Sequence, residues 1–98
     1  MVMPLVIDSH QDLAWNMLTY GRDYTRSVME TRRLEAGTGI PDINGDVLVG
    51  WPEYQRGQVA VVFSTLYATP AKRKEPSDTI WYTDSETAHR LYRDQMTV

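Results

Sequence analysis

The run Val59-Ala60-Val61-Val62-Phe63-Ser64-Thr65-Leu66-Tyr67 constrains the fold more than any other part of the chain. It is β-branched, aromatic and nearly continuous in its apolar character, the pattern of a strand covered on both faces in a parallel sheet. A shorter run of the same kind, Leu5-Val6-Ile7, lies near the start. Parallel strands need a crossover connection, neighbours at their edges and helices on their faces. The sequence is therefore expected to fold as an α/β protein with two parallel strands plus helices. Its 98 residues supply too few layers to cover two such strands. The expectation is a fragment of a larger α/β domain. The alternative is a small α+β domain that covers its strands by self-association.

The connections support this reading. Apolar residues at Leu13, Ala14, Trp15, Met17, Leu18 and Tyr20 fit a turn or two of helix, stopped at Gly21. Asp23 to Ala36 is rich in charge, with Val28, Met29 and Leu34 as apolar anchors, and is predicted to form a surface helix closed by Gly37. Gly37 to Gly50 contains four glycines and an Asn44-Gly45 pair. It reads as loop, with a small hairpin using Val47-Leu48-Val49 as one arm. Trp51 to Arg56 suits a short helical turn with Pro52 at a tolerated first position, ended by Gly57. Ala68 to Trp81 reads as a polar loop. A final helix is expected near Thr83, with Thr83 and Glu86 as a capping box and Ala88, Leu91, Tyr92, Gln95 and Met96 as its apolar stripe. That helix carries no stop signal before Val98, so the expectation is a chain truncated within it.

Composition removes several function classes. There is no cysteine, hence no disulfide, thiolate chemistry or Cys-based zinc site. The net charge of −3 and the lack of a basic stripe interleaved with aromatics argue against a nucleic-acid partner. Lys72-Arg73-Lys74, followed by Glu75, reads as a solvated loop. No stretch is long enough for a membrane span, and Met1-Val2-Met3-Pro4 does not resemble a secretory leader, which points to the cytoplasm.

The chemistry is concentrated where the first strand ends, at His10-Gln11-Asp12. Residues two apart on a strand project to the same face. His10 and Asp12 are therefore candidate ligands for one metal ion, through an imidazole nitrogen and a carboxylate oxygen. Spacing alone favours Asp12 as a helix N-cap and His10 as an ordinary hydrogen-bonded histidine, since a lone pair of ligand types is a weak motif. Asp8, one step deeper on that face, suits either a role in orienting the histidine or a buried acid bonded to backbone amides. His89, the other histidine, is expected on the polar face of the last helix. Asp42, Asp46 and Asp84 have the character of turn and cap residues.

Three segments, Val6-Ile7-Asp8-Ser9-His10-Gln11-Asp12-Leu13-Ala14-Trp15, Trp51-Pro52-Glu53-Tyr54-Gln55-Arg56-Gly57-Gln58-Val59 and Val61-Val62-Phe63-Ser64-Thr65-Leu66-Tyr67, occur in the order in which the membrane (renal) dipeptidases of the amidohydrolase superfamily carry similar ones. The first resembles the family's opening "IDGHNDLPW" strand, with Ser9 in place of Gly and Ala14 in place of Pro. The resemblance implies the N-terminal part of a (β/α)8 TIM barrel and a zinc-dependent metallopeptidase that hydrolyses a dipeptide. It implies that His10 and Asp12 hold the first of two zinc ions, and that Trp15 lines the substrate pocket. Tyr67 would stand on the same rim and bind substrate or water. For both aromatics, packing is the competing role. Two zinc ions about 3.5–4 Å apart lower the pKa of a bridging water and polarise the scissile carbonyl. In the family the bridging carboxylate, two histidines and a catalytic aspartate come from later strands. These 98 residues would therefore be inactive alone, with no catalytic residue assigned among them. Two other readings stand beside this one. One is a non-catalytic truncated homologue acting by self-association or partner binding. The other is a different amidohydrolase chemistry, such as lactam or lactone hydrolysis.

Overall fold

The computed structural model describes residues 2–76 and 78–98. In chain order its elements are β1 (Val6–Gln11), α1 (Leu13–Tyr20), α2 (Val28–Glu35), α3 (Ile40–Asn44), α4 (Trp51–Arg56), β2 (Val59–Ser64), β3 (Thr69–Pro70), β4 (Trp81–Tyr82) and α5 (Ser85–Thr97), with a 3-10 turn at Ala71–Arg73. This is a mixed α/β chain with two small parallel sheets, β1-β2 and β3-β4. Its residues fall into two compact units, Met1–Gln11 with Arg22–Phe63, and Asp12–Gly21 with Ser64–Val98.

In the first unit, β1 pairs with β2, and the Val6 amide donates to the Gln58 carbonyl at 2.9 Å. The expectation that both strands are covered on two faces is not met. Leu5 is 70 %, Ile7 64 % and Phe63 59 % exposed, since no layer covers these side chains on the faces of the sheet. The buried part of the unit lies in its helical excursion, around Val28, Thr31 and Val47. Arg22 enters it as a buried charge paired with Glu35 through two contacts, Nε to Oε2 at 2.9 Å and Nη2 to Oε1 at 3.0 Å. Its Nη2 also donates to the Gly45 carbonyl at 3.0 Å. The hydrogen bonds from Glu35 outweigh the cost of burial and raise the Arg22 pKa. Arg32 Nε ties α2 to the Val47 carbonyl at 2.9 Å.

α2 starts at Val28 rather than near Asp23. The Asp23 carboxylate accepts from the Thr25 amide and hydroxyl, forming a turn, and Ser27 caps the helix by accepting from the Glu30 amide. The Thr25 bonds also hold the Asp23 pKa below its usual value. The expected hairpin around Asn44-Gly45 is replaced by α3. Gly45, at φ 74°, ends that helix with its amide on the Pro41 carbonyl. Gly50 is required for close approach, since a Cβ there would sit 2.5 Å from the Arg26 carbonyl oxygen and 2.8 Å from Glu53 Oε2. α4 follows as expected, with Pro52 in its first turn and Gly57 after it.

The second unit packs α1 and β4 against α5. Its buried residues are Ala14, Ile80, Thr69 and Gln95. Gly21 closes α1 in the left-handed region, at φ 66°, its amide donating to the Met17 carbonyl. The predicted polar loop contains β3 and β4, paired Thr69 with Trp81 and Pro70 with Tyr82. Lys74 Nζ lies 4.4 Å above the Trp81 ring, a cation–π contact that anchors the basic cluster. α5 begins one residue later than expected. Its cap is Asp84, which accepts from the Thr87 amide at 2.8 Å, while the Thr87 side chain returns to the Asp84 amide. The Thr87 amide bond is also the main cause that lowers the Asp84 pKa.

Candidate functional site

The residues singled out from sequence divide between the two units. Asp8 and His10 lie on β1 in the first. The Asp8 carboxylate accepts the His10 backbone amide at 3.2 Å and the Gln11 side-chain amide at 2.8 Å. Burial, and then the nearby Asp8 carboxylate, push the Tyr54 pKa up to about 12.

Asp12, Trp15 and Tyr67 lie in the second unit, and all three line one cavity of about 200 Å³ together with Asp78. Each is fixed by its neighbours. Asp12 occupies the N-cap position of α1 but makes no side-chain cap bond. Its carboxylate instead accepts from the Thr65 hydroxyl, while its carbonyl accepts the Asn16 side-chain amide at 2.7 Å. Trp15, on the first turn of α1, is set edge-on to Tyr20 and to Tyr67, with ring centroids 5.6 and 5.7 Å apart. Its indole Nε1 is buried without a hydrogen-bond partner.

Tyr67 is held at both ends. The buried Gln95 amide grips its backbone, Oε1 accepting the Tyr67 amide at 2.8 Å and Nε2 donating to the Tyr67 carbonyl at 2.6 Å. Gln95 thus takes the place of a neighbouring strand and satisfies two backbone groups at once. The Tyr67 hydroxyl donates to Asp78 Oδ1 at 3.0 Å and shares a hydrogen bond with Thr69. Asp78 Oδ2 accepts the Glu75 amide at 2.7 Å.

Three side chains of this arrangement were not marked by sequence. Thr65 lay inside the predicted strand, and Asp78 lay in the predicted loop without a recognisable motif. Gln95 was placed on the stripe of the last helix, but nothing local indicated that its amide serves Tyr67. Among the described residues no three His, Cys, Asp or Glu side chains are grouped to hold a metal ion. Among the same residues no helix is long and apolar enough to cross a membrane. His89 lies exposed on α5. The sequence matches no protein-family model, and no significant similarity to a curated protein or a solved structure is found.

Proposed function

We propose that these residues are the N-terminal segment of a (β/α)8 barrel and that the protein they belong to is a zinc-dependent dipeptidase. The support in sequence is the ordered resemblance of three segments to that family. The observation that carries the reading is that Tyr67, from a separate stretch of chain, lines one cavity with Asp12 and Trp15. In this reading His10 and Asp12 contribute the first ligands of a two-zinc centre. Zinc held there would supply a metal-activated water and polarise the amide carbonyl. Thr65 holds the Asp12 carboxylate by its hydroxyl, which is the kind of outer contact that orients a metal ligand. Trp15 and Tyr67 form the wall against which a dipeptide side chain packs.

Two side-chain ligands make a partial site, so the 98-residue chain is expected to bind Zn²⁺ weakly and to hydrolyse nothing. Calorimetric titration of Zn²⁺ into the chain tests this. One weak site per chain, lost in His10→Ala and in Asp12→Ala, is the expected result. No zinc uptake, or uptake unchanged by both substitutions, overturns it.

The exposure of Leu5, Ile7 and Phe63 favours a second reading, a non-catalytic chain that self-associates through the β1-β2 sheet. Size exclusion with and without Zn²⁺ separates the two. A zinc-blind oligomer supports self-association, and a zinc-binding monomer supports the enzyme segment.

A further inference from the structure

We infer that the cavity of the second unit binds an organic cation, an alkylammonium or guanidinium group, and that Asp78 sets this preference. The walls are two aromatic rings, Trp15 and Tyr67, and two carboxylates, Asp12 and Asp78. Among the described residues they include no Lys, Arg or His. Asp78 is satisfied only by neutral donors, the Tyr67 hydroxyl and the Glu75 amide. Those two bonds fix the carboxylate at the cavity, and no cation among the described residues pairs with it. A charge held this way next to aromatic faces is complementary to a positive group with an apolar stem. The stem packs on the rings, the ring faces attract the cation, and the carboxylate completes a charge-assisted hydrogen bond.

These four side chains do not by themselves form a cage for a divalent metal. The lining carries two oxygen-ligand side chains, fewer than such an ion takes from a protein cage, and its other two residues are aromatic. A neutral apolar ligand fits poorly, because it would strip water from Asp78 without returning a hydrogen bond. At about 200 Å³ the cavity admits one short side chain or amine, smaller than the range usual for drug-sized ligands. In its consequence for substrate choice the inference rests on the dipeptidase reading, where it selects dipeptides bearing a basic side chain. The binding itself does not depend on that reading.

The test is a titration of the 98-residue chain with n-butylammonium chloride, and separately with 1-butanol of matched length, followed by the NMR signal of the Trp15 indole N–H. EDTA is present throughout, so the outcome is independent of zinc. A failed zinc titration and a failed amine titration therefore remain distinguishable. The expected result is a saturating shift with butylammonium at about 1 mM, the affinity suited to so few heavy atoms, and none with butanol in the same range. Asp78→Asn should weaken the amine on the order of tenfold, the value of one charge-assisted contact. Tyr67→Phe, which keeps the ring but releases Asp78, should weaken it less. Equal shifts from amine and alcohol overturn the inference, as does an Asp78→Asn chain that titrates like the parent. If Asp78→Asn does not fold, the amine–alcohol comparison on the parent chain decides alone.

Discussion

The two units solve the same problem, how to organise polar groups in a small interior, in opposite ways. The first does it with charge. Arg22 and Glu35 are both buried, joined through paired contacts, and the guanidinium also takes the Gly45 carbonyl. The second does it with neutral groups. The Gln95 amide, the Tyr67 and Thr69 hydroxyls and the Thr65 hydroxyl hold backbone and carboxylates in place. A buried ion pair is costly to break but returns little net stability when intact. A neutral network spends no charge on itself, so the Asp78 carboxylate stays available to a positive group.

The comparison can be broken most forcefully at Glu35. Glu35→Gln leaves the Arg22 guanidinium buried without its counter-charge and should cost about 3 kcal/mol. Urea unfolding measures it, with loss of amide protection in α2 as the local signature. A cost below that of the neutral-network substitution would reverse the contrast. That substitution is Gln95→Leu, which removes both side-chain bonds to the Tyr67 backbone and should cost about 2 kcal/mol, again by urea unfolding, with broadening of the Tyr67 amide signal. Gly50→Ala comes third. Its Cβ meets backbone and carboxylate oxygens, and the forced shift should cost about 1.5 kcal/mol, read from the thermal midpoint.

The smallest effect separates charge from hydrogen bonding at the α5 cap. The folded-state pKa of Asp84 lies below its ordinary value of 3.8, chiefly through the Thr87 amide. Its contribution is therefore fully present above that ordinary value and is lost as pH falls through the lowered one. Far-UV circular dichroism from pH 5 downward should show α5 fraying in the parent chain. In Asp84→Asn, which caps without titrating, the acid loss should be shallower. Identical acid profiles would show that the cap adds no pH dependence.

Local signals made part of this legible. Gly21 after an amphipathic stretch, and Pro52 to Gly57 as start and stop, mark α1 and α4 because their conformations are set by one residue each. Asn44-Gly45 shows the limit of such signals. A positive-φ glycine serves a hairpin turn and a helix end equally well, and here it ends α3. The predicted strand reached Tyr67, but regular β2 stops at Ser64. Beyond it Thr65 donates to Asp12, and the Tyr67 backbone pairs with Gln95. These partners are far away in sequence, and no periodicity announces them. In the site, Asp12, Trp15 and Tyr67 were identifiable by residue type and position. Asp78 was not, because its meaning comes from the Tyr67 hydroxyl that binds it and from the β3-β4 fold-back around it.

The grip of Gln95 on Tyr67 carries a consequence for synthesis. Tyr67 precedes the amide that fixes its backbone by 28 residues, so a nascent chain emerging from the ribosome has the aromatic wall long before it has the brace. Until the third turn of α5 has been made and has docked, Tyr67 keeps an unsatisfied amide and carbonyl, and the cavity has no settled shape. Ligand recognition by this segment is thus among the last properties it acquires, gained only when its closing helix folds back.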